Sequence, residues 1–235
     1  MSSMTFSMIT QILLLAFWID LAANLVAEYV IKGDHSSRYI GLRWITKPLL
    51  MILLIGIYIS AVPAFVLFAV LAFAFGWLGD VFLMFDYQSR FFLLGSGAFL
   101  VGHIFYIWDY SLTFGNSADF PLWRLLLYVP VLLIFLVYAF PRINGKMKGK
   151  EKSMTMVYGG VLLLMALATL LRLPVVDILD LRFLFVWAGA TLFVLSDAIL
   201  SVDRFHKKMQ RGMLWIMSTY AIGQFLIAYG LSLLG

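Results

Sequence analysis

The 235-residue sequence contains no cysteine, which excludes disulfides, thiolate catalysis and cysteine-held metals. It is also short of charge. Only 12% of its residues are charged while 63% are hydrophobic, far from the balance of a water-soluble domain. Histidine is confined to His35, His103 and His206, and without a helix-spaced His/Glu motif these make a poor zinc site. No metal and no cofactor is expected. A mean hydropathy of +0.99 identifies the chain as an integral membrane protein.

A helix needs about 17 to 25 apolar residues to cross roughly 30 Å of hydrocarbon. Eight stretches serve, at 6–31, 42–60, 63–85, 91–112, 121–140, 154–173, 181–202 and 211–234. The first lacks a basic leader and is too long for a signal-peptide core, so it is expected to be retained as a helix. The predicted fold is therefore all-α, a single transmembrane domain over 1–235 made of eight helices. Lysine and arginine set its orientation, because short loops rich in them stay cytoplasmic. Lys32, Arg38 and Arg43 follow helix 1, Arg90 follows helix 3, Arg142 to Lys152 follow helix 5, and Arg204 to Arg211 follow helix 7. The other side has Arg124, Arg172 and Arg182 beside Asp109, Asp119, Asp177 and Asp180. Both termini are thus predicted to face away from the cytoplasm, in the plasma membrane if the source is bacterial. The net charge of +5 is largely this topology signal and would attract anionic lipid headgroups. Its dispersal through membrane loops argues against nucleic acid as a partner.

A motif L-[GS]-D-x-[FI]-L-x-[FV]-D occurs twice, at Leu78 to Asp86 and at Leu195 to Asp203, 117 positions apart. Each copy places an aspartate, Asp80 or Asp197, inside an apolar run, where an ionised carboxylate is costly and therefore marks function. Phe99-Leu100-Val101-Gly102-His103 likewise resembles Tyr220-Ala221-Ile222-Gly223-Gln224. Helices 3–4 and 7–8 read as copies in a 4+4 parallel repeat. Thr46-Lys47-Pro48 in helix 2 has no counterpart in helix 6.

Helical rise turns these offsets into depth. Asp80 and Asp197 each precede a second aspartate by six residues, which sets both roughly 9 Å inside the cytoplasmic interface. Lys47 could reach that level or snorkel back to the phosphates. His103 and Gln224 fall near the bilayer middle. Asp20, Asn24 and Glu28 form a stripe along one face of helix 1 that cannot cheaply meet lipid. A polar cavity open to the inner leaflet, walled by helices 1, 2, 3, 4, 7 and 8, accommodates all of these groups. Glu28, Asp86 and Asp203 are expected at the interface, pairing with Lys32, Arg90 and Arg204. Any single polar group, such as Asn24, Ser196 or Tyr220, could instead serve only as a helix-to-helix hydrogen bond, worth about 0.6 kcal/mol.

Two nearby carboxyls resist ionising together, which leaves one as an acid beside a charged partner. Such a pair suits hydrolysis of an acid-labile bond through an oxocarbenium-like state. The bond should lie just below the phosphate layer, where a glycerolipid joins glycerol to its first chain.

Lys47-Pro48, Gly79-Asp80 with Val81-Phe82-Leu83-Met84, Gly95-x-Gly97-x-Phe99-x-x-Gly102-His103-x-x-Tyr106, Leu195-Ser196-Asp197 and Thr219-Tyr220-x-x-Gly223-Gln224 together resemble the YhhN family of membrane proteins. The resemblance spans helices 2 to 8, in order, and Gly223 departs from the alanine expected in many relatives. Characterised animal members are lysoplasmalogenases. The resemblance implies eight helices, Asp80 and Asp197 as catalytic positions, and a lysophospholipid substrate whose vinyl ether bond is cleaved to a fatty aldehyde and glycerophosphoethanolamine or glycerophosphocholine. His103, Tyr106, Tyr220 and Gln224 would then position water and the glycerol hydroxyl, Lys47 would meet the phosphate, and Ser196, Asn24 and Asp20 would complete the substrate-binding set. Membrane lipids are the remaining expected partner. The chief alternative is a proton-coupled transporter of a small lipid-like or amphipathic solute, and a lipid-binding scaffold without chemistry is a third. Broken helices would favour the transporter, but Pro48 is expected at a helix end and Pro130 as a single interior kink.

Overall fold

The computed structural model describes residues 7–31, 38–64, 66–85, 89–112, 122–172 and 180–233. The expectations placed on Lys32, His35, Asp86, Asp119 and Asp177 lie outside the described residues. Eight described helices are long and apolar enough to cross a membrane. They are α1 (Met8–Ile31), α2 (Ile40–Ala61), α3 (Leu67–Met84), α4 (Ser89–Leu112), α5 (Trp123–Ile143), α6 (Gly149–Ala168), α7 (Leu181–Phe205) and α8 (Gly212–Ser232). No strand occurs among the described residues. Hydrocarbon offers no hydrogen bonds to a backbone, so an apolar run that enters it must satisfy its amides internally as a helix.

Local chemistry sets the ends. Val62, which precedes Pro63, is extended at φ −110° and ψ 143°, and α2 stops there because proline crowds a helical predecessor. Asp180 opens α7 by accepting a hydrogen bond from the Arg182 amide at 2.8 Å. The sixth helix starts five residues before the expected Met154, since Lys150, Glu151 and Lys152 are good helix formers despite their charge. Pro48 lies inside α2, not at its end, and there it cannot donate to the Trp44 carbonyl. Pro130 marks a change of helix type within α5. A 3-10 turn over Leu122–Tyr128 gives way to an α-turn at Val129–Leu133, followed by a π-turn at Ile134–Ala139.

Helices α2, α3, α4, α6, α7 and α8 form a closed ring of neighbours, with α1 against α2 and α8, and α5 against α7. Phe73, Tyr106, Tyr110, Leu54 and Phe193 fill the interior, while Ile12, Leu15, Ile45, Leu126 and Val137 stand on outer faces suited to lipid. Two hairpins are packed through glycine. A Cβ on Gly102 of α4 would sit 3.1 Å from the Ala72 carbonyl of α3, and one on Gly223 of α8 only 2.9 Å from the Gly189 carbonyl of α7. Ala72 and Gly189 are separated by the same 117 positions as the two aspartates. Polar rungs hold α1 to α2 instead: Thr10 to Ser60 at 3.0 Å, Asn24 to Thr46 at 2.9 Å and Glu28 to Arg43 at 3.0 Å.

Candidate active site

The residue before each aspartate determines how its helix approaches a neighbour. Gly79 admits the Phe99 ring of α4, which would lie 2.5 Å from any Cβ placed there. Ser196 holds the corresponding place in α7 and donates to the Ile216 carbonyl of α8 at 3.1 Å. Both aspartates are thereby held on tightly packed hairpins. Helix α7 continues two turns past Asp197, whereas α3 ends one turn past Asp80.

Asp80 and Asp197 open on one cavity of about 540 Å³. They do not stand on opposite faces of the bundle. Lys47, Ser196 and Tyr220 share its wall, and Leu83, Met84, Leu200, Met213 and Met217 give it an apolar lining. The Lys47 ammonium lies 3.5 Å from Asp80 Oδ1, with each side chain only 4% exposed. The Tyr220 hydroxyl donates to Asp80 Oδ2 at 2.6 Å. Asp197 is half-buried and differently served. The Tyr158 hydroxyl of α6 donates to its Oδ2, and among the described residues no ammonium or guanidinium pairs with it.

The cavity mouth is basic, with Arg43, Arg204, His206, Lys207 and Lys208 around it. Three of these cations are matched by carboxylates. Arg43 pairs with Glu28 at 3.0 Å, Arg204 with Glu151 at 3.1 Å and Lys208 with Asp203 at 2.5 Å. These pairings bear on two expectations. Glu28, whose expected partner Lys32 lies outside the described residues, meets Arg43, because the polar stripe of α1 lies against α2. Asp203 was expected to pair with Arg204 at the surface. It is instead buried, accepting from Lys208 and from the Met209 amide at 2.6 Å, while Arg204 stacks 3.9 Å over Phe92 and reaches across to α6.

The wall itself also differs from expectation, with α6 in it and α1 outside. Asn24 is spent on Thr46, and neither it nor Asp20 reaches the cavity surface. His103, Tyr106 and Gln224 lie in a deeper layer behind the aspartates. There Tyr106 donates to Gln224 Oε1 at 2.6 Å, and the His103 ring packs edge-on against Phe193 and Tyr158 at 4.9 and 5.4 Å. The Gln224 amide nitrogen and the Tyr220 hydroxyl both stand beside Gly76, one turn from Asp80, where a Cβ would be 3.8 Å from each. Sequence reading passed over Glu151, Thr155 and Tyr158. Their spacing of four and three residues puts them on one face of α6, a stripe of the same kind as that on α1.

Chemically, the cavity sets a carboxylate matched by an ammonium across from a carboxyl matched only by a hydroxyl, between an apolar interior and a cationic rim. A sequence model of the YhhN family matches residues 42–231, which is most of the chain. No curated protein and no solved structure matches it. The chain belongs to the YhhN family.

Proposed function

We propose that the chain hydrolyses the vinyl ether bond of lysoplasmalogens, releasing a fatty aldehyde and a glycerophospho-alcohol, with its basic end facing the cytoplasm. One observation carries this reading: two carboxyls with unlike partners open on one cavity. Asp80, held by Lys47 and Tyr220, is the permanent carboxylate. Asp197, with no cation beside it, is the acid, its proton on Oδ1 while Tyr158 donates to Oδ2. Asp197 protonates the outer alkene carbon, and the inner carbon becomes an oxocarbenium ion that Asp80 steadies. Water adds to that carbon and returns a proton to Asp197. The resulting hemiacetal passes its hydroxyl proton to the glycerol oxygen as the carbon–oxygen bond breaks, giving aldehyde and alcohol. The apolar lining suits the alkenyl chain, and Lys207 on the rim, which no carboxylate matches among the described residues, suits the phosphate, since Lys47 is committed to Asp80.

Purified protein supplied with lysoplasmalogen should release aldehyde, and Asp80→Asn and Asp197→Asn should each lower kcat by three decades or more, roughly what loss of an essential charge or proton donor costs. Undiminished turnover in both variants would sink the mechanism. Substrate-dependent proton flux in liposomes without product would favour the transporter instead.

A further inference from the structure

Behind Asp197 lies a second, much smaller cavity of about 30 Å³, bounded by α3, α4, α6 and α7. Asp197 belongs to the walls of both cavities. Four hydroxyl-bearing residues, Ser96, Thr155, Tyr158 and Ser201, line the smaller one together with Asp197, and the Tyr158 hydroxyl donates to its carboxyl. A single water needs about 10–15 Å³ of such space and two to four polar partners, so this volume suits about two waters and no part of a lipid.

Thr155 supplies an independent observation. Thr46, Thr169, Thr191 and Thr219 each donate to a carbonyl one turn back in their own helix, and Thr10 donates across to Ser60. Thr155 alone among the described threonines is buried with its hydroxyl unpaired, and Thr155 lines the small cavity. A buried hydroxyl that forgoes the usual bond to its own helix carries a desolvation penalty that a water molecule would remove.

We propose that this chamber holds the hydrolytic water, with Thr155, Ser96 and Ser201 as positioning residues. The inference rests on the hydrolase reading and adds the source of its second reactant. Having given its proton to the alkene, Asp197 is a carboxylate facing the chamber. A water held there donates a hydrogen bond to it, moves past it to the oxocarbenium carbon, forms the new carbon–oxygen bond and leaves its proton on Asp197. The acid is regenerated by the step that consumes the cation, and no other reactant is needed.

Two measurements on full-length protein in detergent test this. In X-ray hydroxyl-radical footprinting in ¹⁸O-water, a water in the chamber should label Tyr158 and Leu200, half-buried residues of its wall, and Thr155→Val should cut that labelling several-fold. In aldehyde release, Thr155→Val should lower kcat by about tenfold, the loss of one hydrogen bond to the reacting water, with KM within about twofold. Thr155→Ser should restore both. Unlabelled Tyr158 and Leu200 in the wild type, or a Thr155→Val variant with wild-type kcat, would overturn the proposal. A wild-type protein that releases no aldehyde would refute the hydrolase reading and with it the water's catalytic role, while the labelling would still decide whether the chamber is wet.

Discussion

Replacing Lys47 with methionine removes a charge but keeps most of the volume, and so isolates what the ammonium does for Asp80. At 3.5 Å and an effective dielectric constant of about 20, the pair attracts by about 5 kcal/mol. Breaking a buried pair by deleting one partner typically costs about 3–5 kcal/mol, because the survivor is left as a lone charge. The Asp80 carboxylate can escape that cost only by taking a proton, and it then no longer faces the developing cation as an anion. With about 1.4 kcal/mol per decade, Lys47→Met is expected to lower kcat by about a thousandfold while KM changes little. Stability should follow the same logic. Lys47→Met alone should unfold at a lower temperature, and Lys47→Met with Asp80→Asn should recover much of the loss without recovering activity, since a neutral pair leaves no buried charge. Steady-state aldehyde release and thermal unfolding in detergent measure both effects. A large rise in KM with kcat unchanged would show that Lys47 holds the phosphate, and a double variant no more stable than the single one would refute the pairing.

Gly223→Ala would set a Cβ 2.9 Å from the Gly189 carbonyl and 3.2 Å from the Phe193 amide nitrogen, backbone atoms that can yield only if α7 and α8 move apart. A loss of about 1–3 kcal/mol is expected by thermal or chemical unfolding, and an unchanged stability would mean that the hairpin is looser than described. Asp180→Ala removes the cap of α7 and should cost about 1 kcal/mol. Hydrogen bonds from Arg182 hold the Asp180 carboxyl below its ordinary value of 3.8, so its contribution is present above that pH and lost as pH falls below it. A stability difference between wild type and Asp180→Ala that did not shrink under acid would contradict this.

The eight spans were legible because hydrocarbon thickness fixes their length and the lack of solvent fixes their conformation. That Asp80 and Asp197 open on one cavity was legible for a related reason, since equal offsets along two helices give equal rise. Partners were harder to read. Lys47 stands within reach of both a phosphate and Asp80, and only the way α2 packs on α3 turns it inward. The Asp20, Asn24 and Glu28 stripe correctly signalled a face turned from lipid, yet such a face is satisfied as well by a neighbouring helix as by a cavity. Thr46 and Arg43 on α2 supply that neighbour. Tyr158 and Thr155 carry no charge and lie in an apolar run, so nothing in their chemistry set them apart from ordinary membrane packing until α6 entered the wall.

Matching aspartates in matching motifs would, in matching surroundings, compete for a single proton and could not hold separate roles. The places where the two copies differ remove that symmetry. Tyr220 occupies in α8 the position of Phe99 in α4, and its extra hydroxyl is the one that reaches Asp80. Phe99 has no hydroxyl to offer in return, and the bond to Asp197 comes from Tyr158 of α6. Lys47, without a counterpart in α6, adds a charge on the Asp80 side alone. A motif written twice therefore yields one carboxylate fixed by a cation and one carboxyl bordered by hydroxyls. In the proposed mechanism the division of labour lies in the three side chains the copies do not share.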